Sequence, residues 1–77
     1  MIREHESVAL THDISEYGHK EGDVGVVVHC YPDSRAFEVE FMKTGGDTIA
    51  VLTLERDEVR PLAEEEILHV RKVLAAT

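Results

Sequence analysis

The stretch Glu21-Gly22-Asp23-Val24-Gly25-Val26-Val27-Val28-His29-Cys30-Tyr31 decides how this chain folds. Gly22 and Gly25 suit a tight turn and a sharp bend or bulge, because a Cβ would forbid the backbone angles or close contacts involved. The valines that follow are stiff at χ1 and pack well on a pleated surface. A strand hinged on glycine in this way lets a small sheet curl onto itself.

Downstream, Tyr31-Pro32-Asp33-Ser34-Arg35 is turn chemistry, with Pro32 presetting φ and Asp33 and Ser34 able to bond local amides. Ala36 to Met42 then alternates cleanly: Phe37, Val39 and Phe41 face one way, Glu38 and Glu40 the other. One face is core and the other wet, as in an antiparallel sheet. After the turn Lys43-Thr44-Gly45-Gly46-Asp47, the run Thr48 to Leu54 is apolar on both faces. Its outer side, including Ile49 and Val51, needs cover from the early loop, the C-terminal segment or another molecule. Glu55 to Glu58 is a charged turn, and Val59 to Leu62 a brief strand that Pro61 places at an edge or an end.

Upstream, Ser7-Val8-Ala9-Leu10 reads as a first strand and residues 1–5 as a frayed polar end. Thr11 to Gly22 is too polar for core and too long for a tight hairpin, so it reads as a loop held down by Ile14 and Tyr17. From Ala63 the period changes. Ala63, Ile67, Val70, Val73 and Leu74 share a helical stripe, with Glu64 to Glu66 at the start and Arg71 and Lys72 near the end. The pattern predicts a helix over 63–76 that packs either on the sheet or on a second chain, the latter giving a homodimer. Residues 1–77 thus form one domain, all-β with a terminal helix, whose strands curl into a small sheet or barrel.

The chain carries sixteen acidic and eight basic residues, a formal net charge of −8. That charge repels a phosphate backbone unless the basic side chains cluster, and it steers the protein toward basic partners. No apolar run approaches the roughly 20 residues of a membrane helix, and the N-terminus lacks the apolar core of a signal peptide. A single cysteine, Cys30, agrees with a reducing compartment, so the expectation is a cytoplasmic protein.

Gly22-Asp23-Val24-Gly25-Val26-Val27, the alternation Phe37-Glu38-Val39-Glu40-Phe41 and the segment Ala50-Val51-Leu52-Thr53-Leu54 together resemble a small bacterial family, domain of unknown function 4926. Val8-Ala9-Leu10, Asp13-Ile14 and Glu16-Tyr17-Gly18 match its opening, and Val59-Arg60-Pro61 its close. The resemblance covers residues 7–62 and implies an SH3-like five-stranded β-barrel, with the 63–76 helix outside it. The Gly-Asp-Val-Gly element is similar to that of ribosomal and transcription-factor KOW domains, which implies nucleic-acid binding as the alternative. Members resemble proteins that pair with small neighbours, which favours binding over catalysis.

The residues themselves argue against chemistry. His5, His12 and His19 recur every seven residues, but zinc ligands sit closer together and usually include thiolates. His29 and Cys30 point to opposite faces of a strand, and Cys30 reads as a small buried hydrophobe. Glu38 and Glu40 share a face without a cleft to shift their pKa values. No phosphate loop or nucleophile elbow is present. We therefore expect no enzyme, no cofactor and no metal. Nucleic-acid modules need basic surfaces with exposed aromatics, and Phe37 and Phe41 belong to the core. The expectation is a protein-interaction module, antitoxin-like in its most concrete form, meeting a basic partner through Asp13, Glu16, Glu38 and Glu40, with Tyr17 as aromatic anchor.

Overall fold

Period-two patterning governs the strands between Ser7 and Pro61. A computed structural model describes residues 2–73, Tyr17 by its main chain alone. Five strands, β1 (Ser7–Leu10), β2 (Val24–Cys30), β3 (Ala36–Met42), β4 (Thr48–Glu55) and β5 (Val59–Pro61), form one antiparallel sheet. Their order is β4-β3-β2-β1-β5. Short 3₁₀ turns at Glu16–Gly18 and Pro32–Ser34 interrupt the connections.

A single sheet has no second layer to cover its apolar side. Yet Val8, Leu10, Val27, Phe37, Val39, Phe41, Leu52, Leu54 and Val59 are all buried in one cluster. The sheet therefore curls around its own side chains, which removes that surface from water. No ladder joins β4 to β5 among the described residues, so the expected five-stranded barrel is a curled sheet with two edges.

Curling requires the close approach of β2 to β3, and Gly25 supplies it. A Cβ at that position would lie 2.6 Å from Val39 Cγ1, 2.9 Å from the Glu40 carbonyl oxygen and 2.9 Å from Phe41 Cε1. Gly22 serves differently: its φ of +89° turns the chain into β2. The register of β2 against β3 slips between Val27 and His29, which makes Val28 the extra residue of a bulge. The irregularity thus falls three residues beyond the glycine.

The predicted C-terminal α-helix is absent over residues 63–73, and Leu74 to Ala76 lie outside the described residues. Beyond a turn at Glu64 and Glu65 the chain has no regular structure, and Ile67, Leu68 and Val70 are 91%, 70% and 81% exposed. The physical reason is that the curled sheet already fills its own interior and leaves no face able to bury a whole helical stripe. A helix this short needs such packing to form. Polar contacts take over: Glu66 accepts the Ala63 N–H at 2.7 Å and grips the Arg60 guanidinium at 2.6 and 2.8 Å. The homodimer through a helical stripe loses its basis with the helix.

The N-terminus is more engaged than its polarity predicts. Ile2 packs on the core, and the His5 N–H donates to the Val27 carbonyl at 2.6 Å. Ile14 holds down the 11–22 loop as expected, packing on the core and bridging to His19.

Candidate interaction surface

The outer face of the sheet is built from rows that the register sets. Glu38 stands between His29 on β2 and Thr53 on β4, and Glu40 between Val26 and Val51. Neither carboxylate is left loose. Glu38 Oε2 accepts from the Tyr31 hydroxyl at 2.5 Å and from Thr53 Oγ1 at 2.7 Å, and Glu40 Oε2 accepts from Thr48 Oγ1 at 2.5 Å. Donation from Thr53 and then Tyr31 holds the Glu38 carboxyl below its ordinary pKa, while the same Tyr31–Glu38 hydrogen bond pushes the Tyr31 phenol up. Glu38 is thus a fixed, ionised carboxylate. The His29 ring meets Tyr31 edge-on at 4.8 Å and lies 3.8 Å from the Glu4 carboxylate. Val51, half exposed, supplies the apolar part of this face.

The loop residues Asp13 and Glu16 belong elsewhere. The 11–22 loop seats His19 against Phe41, whose side chain points to the core side, with ring centroids 4.4 Å apart. Asp13 and Glu16 therefore flank the core side of the sheet, while Glu38 and Glu40 occupy its outer side. Asp13 accepts the Glu21 N–H at 2.8 Å, so it braces the loop. The Glu16 carbonyl is 3.1 Å from His19 Nδ1. Tyr17 sits in the 3₁₀ turn, and its side chain lies outside the described residues. The structure brings together Glu38 and Glu40, and it separates them from Asp13 and Glu16.

Four residues of importance escape a reading of the sequence alone. His19 is buried, and its polar look in a polar loop hides that. Thr48, Thr53 and Tyr31 lock the two glutamates; pairing the alternating β3 pattern with a register for β4 would have found the threonines. The other histidines disperse: His12 Nε2 lies 3.5 Å from Glu58, and His29 is on the outer face. Among the described residues no three His, Cys, Asp or Glu side chains group as metal ligands, and no helix is long and apolar enough to cross a membrane. Cys30 is half-buried, its Sγ 3.9 Å from the Ile2 carbonyl oxygen.

A shallow groove of about 900 Å³ lies between the loop and residues 68–73, floored by Phe41 and Ile49. Lys20, Lys43 and Lys72 line it, as do Glu21 and Asp23. Arg71 reaches across to clamp Asp23 at 2.5 and 2.9 Å and also donates to the Gly18 carbonyl. Burial pushes the Asp23 carboxyl up, but bonds from Arg71 and the Lys20 N–H outweigh it and leave its pKa below the usual value.

A small all-β domain with one curled antiparallel sheet, an acidic outer face and a C-terminal strap without regular structure is what these features define. The chain belongs to the family described as Domain of unknown function (DUF4926), whose model matches residues 4–61. The match ends at β5, so the strap lies beyond the family's span. No curated protein and no solved structure matches the chain.

Proposed function

We propose that this domain is an acidic protein-interaction module that binds a basic protein, antitoxin-like or accessory in role. The observation that carries the reading is the pair Glu38 and Glu40, displayed on the outer face beside exposed Val51 and pinned by Thr53, Tyr31 and Thr48. Fixed side chains lose little rotamer entropy on binding, and complementary charge raises the association rate. A net charge of −8 extends that preference over the whole molecule. The reading assigns no catalytic step to the domain.

The test is affinity capture from the native host at low and high salt, followed by titration of the purified candidate. A stoichiometric basic protein whose affinity falls with salt and with Glu38→Gln supports the reading. Absence of any stoichiometric protein at either salt sinks it. A second reading, nucleic-acid binding of KOW type, draws on the gathering of Lys20, Lys43 and Lys72 at the groove. Glu21 and Asp23 in the same lining oppose it. Retention on RNA at low ionic strength, lost on substituting the three lysines, would favour this alternative.

A further inference from the structure

The two edges of the sheet are unequal. β5 is three residues long, ends in Pro61, and has Arg60 tied to Glu66. Short, proline-bearing edges resist pairing. β4 is eight residues long without proline, and its edge can be read from the register. The Ala36 carbonyl accepts from the Tyr31 N–H at 3.0 Å, so Ala36 faces β2, and by alternation Phe37, Val39 and Phe41 turn their backbone groups to β4. Their partners Leu54, Leu52 and Ala50 are engaged there. Val51, Thr53 and Glu55 therefore point theirs away from the sheet.

Both ends of that edge are closed. The Glu55 N–H donates to the Glu58 carboxylate and the Glu55 carbonyl accepts the Glu58 N–H, each at 2.8 Å. At the other end the register slips, leaving Ile49 as the extra residue, packed on the core. Between the closures, the N–H and C=O groups of Val51 and Thr53 have no backbone partner among the described residues. These same residues stand in the outer-face rows of Glu40 and Glu38. The register leaves Glu38 Oε1 and Glu40 Oε1 unengaged among the described residues.

We propose that the Val51–Thr53 window of β4 takes an added β-strand from the partner, with Lys or Arg at two positions i and i+2. The proposal rests on the acidic-module reading above and names how that partner docks. Residues opposite Val51 and Thr53 would be hydrogen-bonded pairs whose side chains share the outer face. Each lies about 10 Å from β3, two strand spacings, which a Lys or Arg and a Glu span between them. The residue between them faces the core side beside Leu52, so it is apolar. A second copy of this chain is the poorer occupant. Pairing β4 on itself about Val51 sets Asp47 opposite Glu55 at both ends and joins two bodies of charge −8. Of the titratable groups facing Glu38, Tyr31 already donates to it, and His29 has the Glu4 carboxylate beside it.

The experiment uses the full chain and an acetylated, amidated peptide, Thr-Val-Lys-Val-Arg-Val-Thr, read by amide hydrogen exchange in NMR. Saturating peptide should slow exchange at Val51 and Thr53 at least tenfold, with no such change at Glu55. The same peptide N-methylated at Lys and Arg keeps its charge but should give no protection. Val51→Pro removes an N–H that β3 does not use, and should abolish the effect; Val51→Lys serves if that variant misfolds. Glu38→Gln and Glu40→Gln should each weaken binding at least threefold. Equal protection by the methylated peptide, or none by either, overturns the proposal. So does a dimer with Val51 and Thr53 already protected. If the host's basic partner binds yet leaves both amides unprotected, the module reading stands and this docking mode falls; if no partner exists, the reading fails whatever the peptide does.

Discussion

Replacing Gly25 with alanine tests how the sheet curls. The new Cβ would meet Val39 Cγ1 at 2.6 Å, Phe41 Cε1 at 2.9 Å and the Glu40 carbonyl oxygen at 2.9 Å, when carbon atoms normally approach to about 3.5 Å. Val39 is fully buried and Phe41 nearly so, so neither ring nor methyl can swing into solvent. The carbonyl belongs to the β3 backbone and moves only if the ladder opens. Overpacking of this kind costs about 1–3 kcal/mol, and three simultaneous contacts, one of them backbone, place this case near the upper end. Reduced freedom of the unfolded chain returns about 0.4–1 kcal/mol, leaving a net loss of about 2 kcal/mol. That is a large share of the roughly 4–12 kcal/mol expected for a chain of this length. Urea unfolding should show a lower midpoint with an unchanged slope. Two controls sharpen the test. Gly22→Ala meets nothing within 4 Å but must hold φ at +89°, for about 1–2 kcal/mol. Gly45→Ala meets neither constraint and should be neutral or slightly stabilising. A Gly25→Ala protein as stable as the parent would refute the close-approach account.

Three further predictions concern the strap and the outer face. Deleting residues 63–77 should leave a cooperatively folded sheet, because the buried cluster lies wholly between Val8 and Val59; loss of the thermal transition would show that the strap is part of the core. Acid should release the strap before the sheet unfolds. The Arg60 and Ala63 N–H bonds hold the Glu66 carboxyl at about 2, below its usual 4.5, so its contribution is complete above 4.5 and lost as pH falls toward about 2. Asp23, also lowered, loosens Arg71 in the same direction, and NMR shifts of residues 64–73 should move while the buried methyls of Val8, Val27 and Leu54 keep their dispersion. Glu38→Gln should bring the Tyr31 phenol back toward its ordinary pKa of 10, followed by NMR; an unchanged titration would mean that the hydrogen bond does not persist in solution.

Strand identity was legible from local chemistry. Ser7–Leu10 and Ala36–Met42 fall where β-branching and alternation put them, and β4 and β5 differ by one residue at their ends. The helix failed for an instructive reason. The spacing of Ala63, Ile67, Val70 and Val73 states only what a helix would present, and it cannot state whether a receiving surface exists. Here the sheet had closed over its own side chains. Of the four carboxylates expected to act together, Glu38 and Glu40 share a face by alternation within one strand. Grouping them with Asp13 and Glu16 required knowing which side of the sheet the 11–22 loop crosses, and His19 takes it to the side of Phe41.

By itself the sequence determined the strands, their apolar side and the acidic balance, since each depends on neighbours one or two residues away. Tertiary structure alone decided the sheet order, the contact that makes Gly25 obligatory, the locking of Glu38 by Thr53 and Tyr31, and the absence of a helix over residues 63–73. Those depend on residues distant in the chain meeting at a few ångströms, and register between strands, not composition within them, sets such meetings.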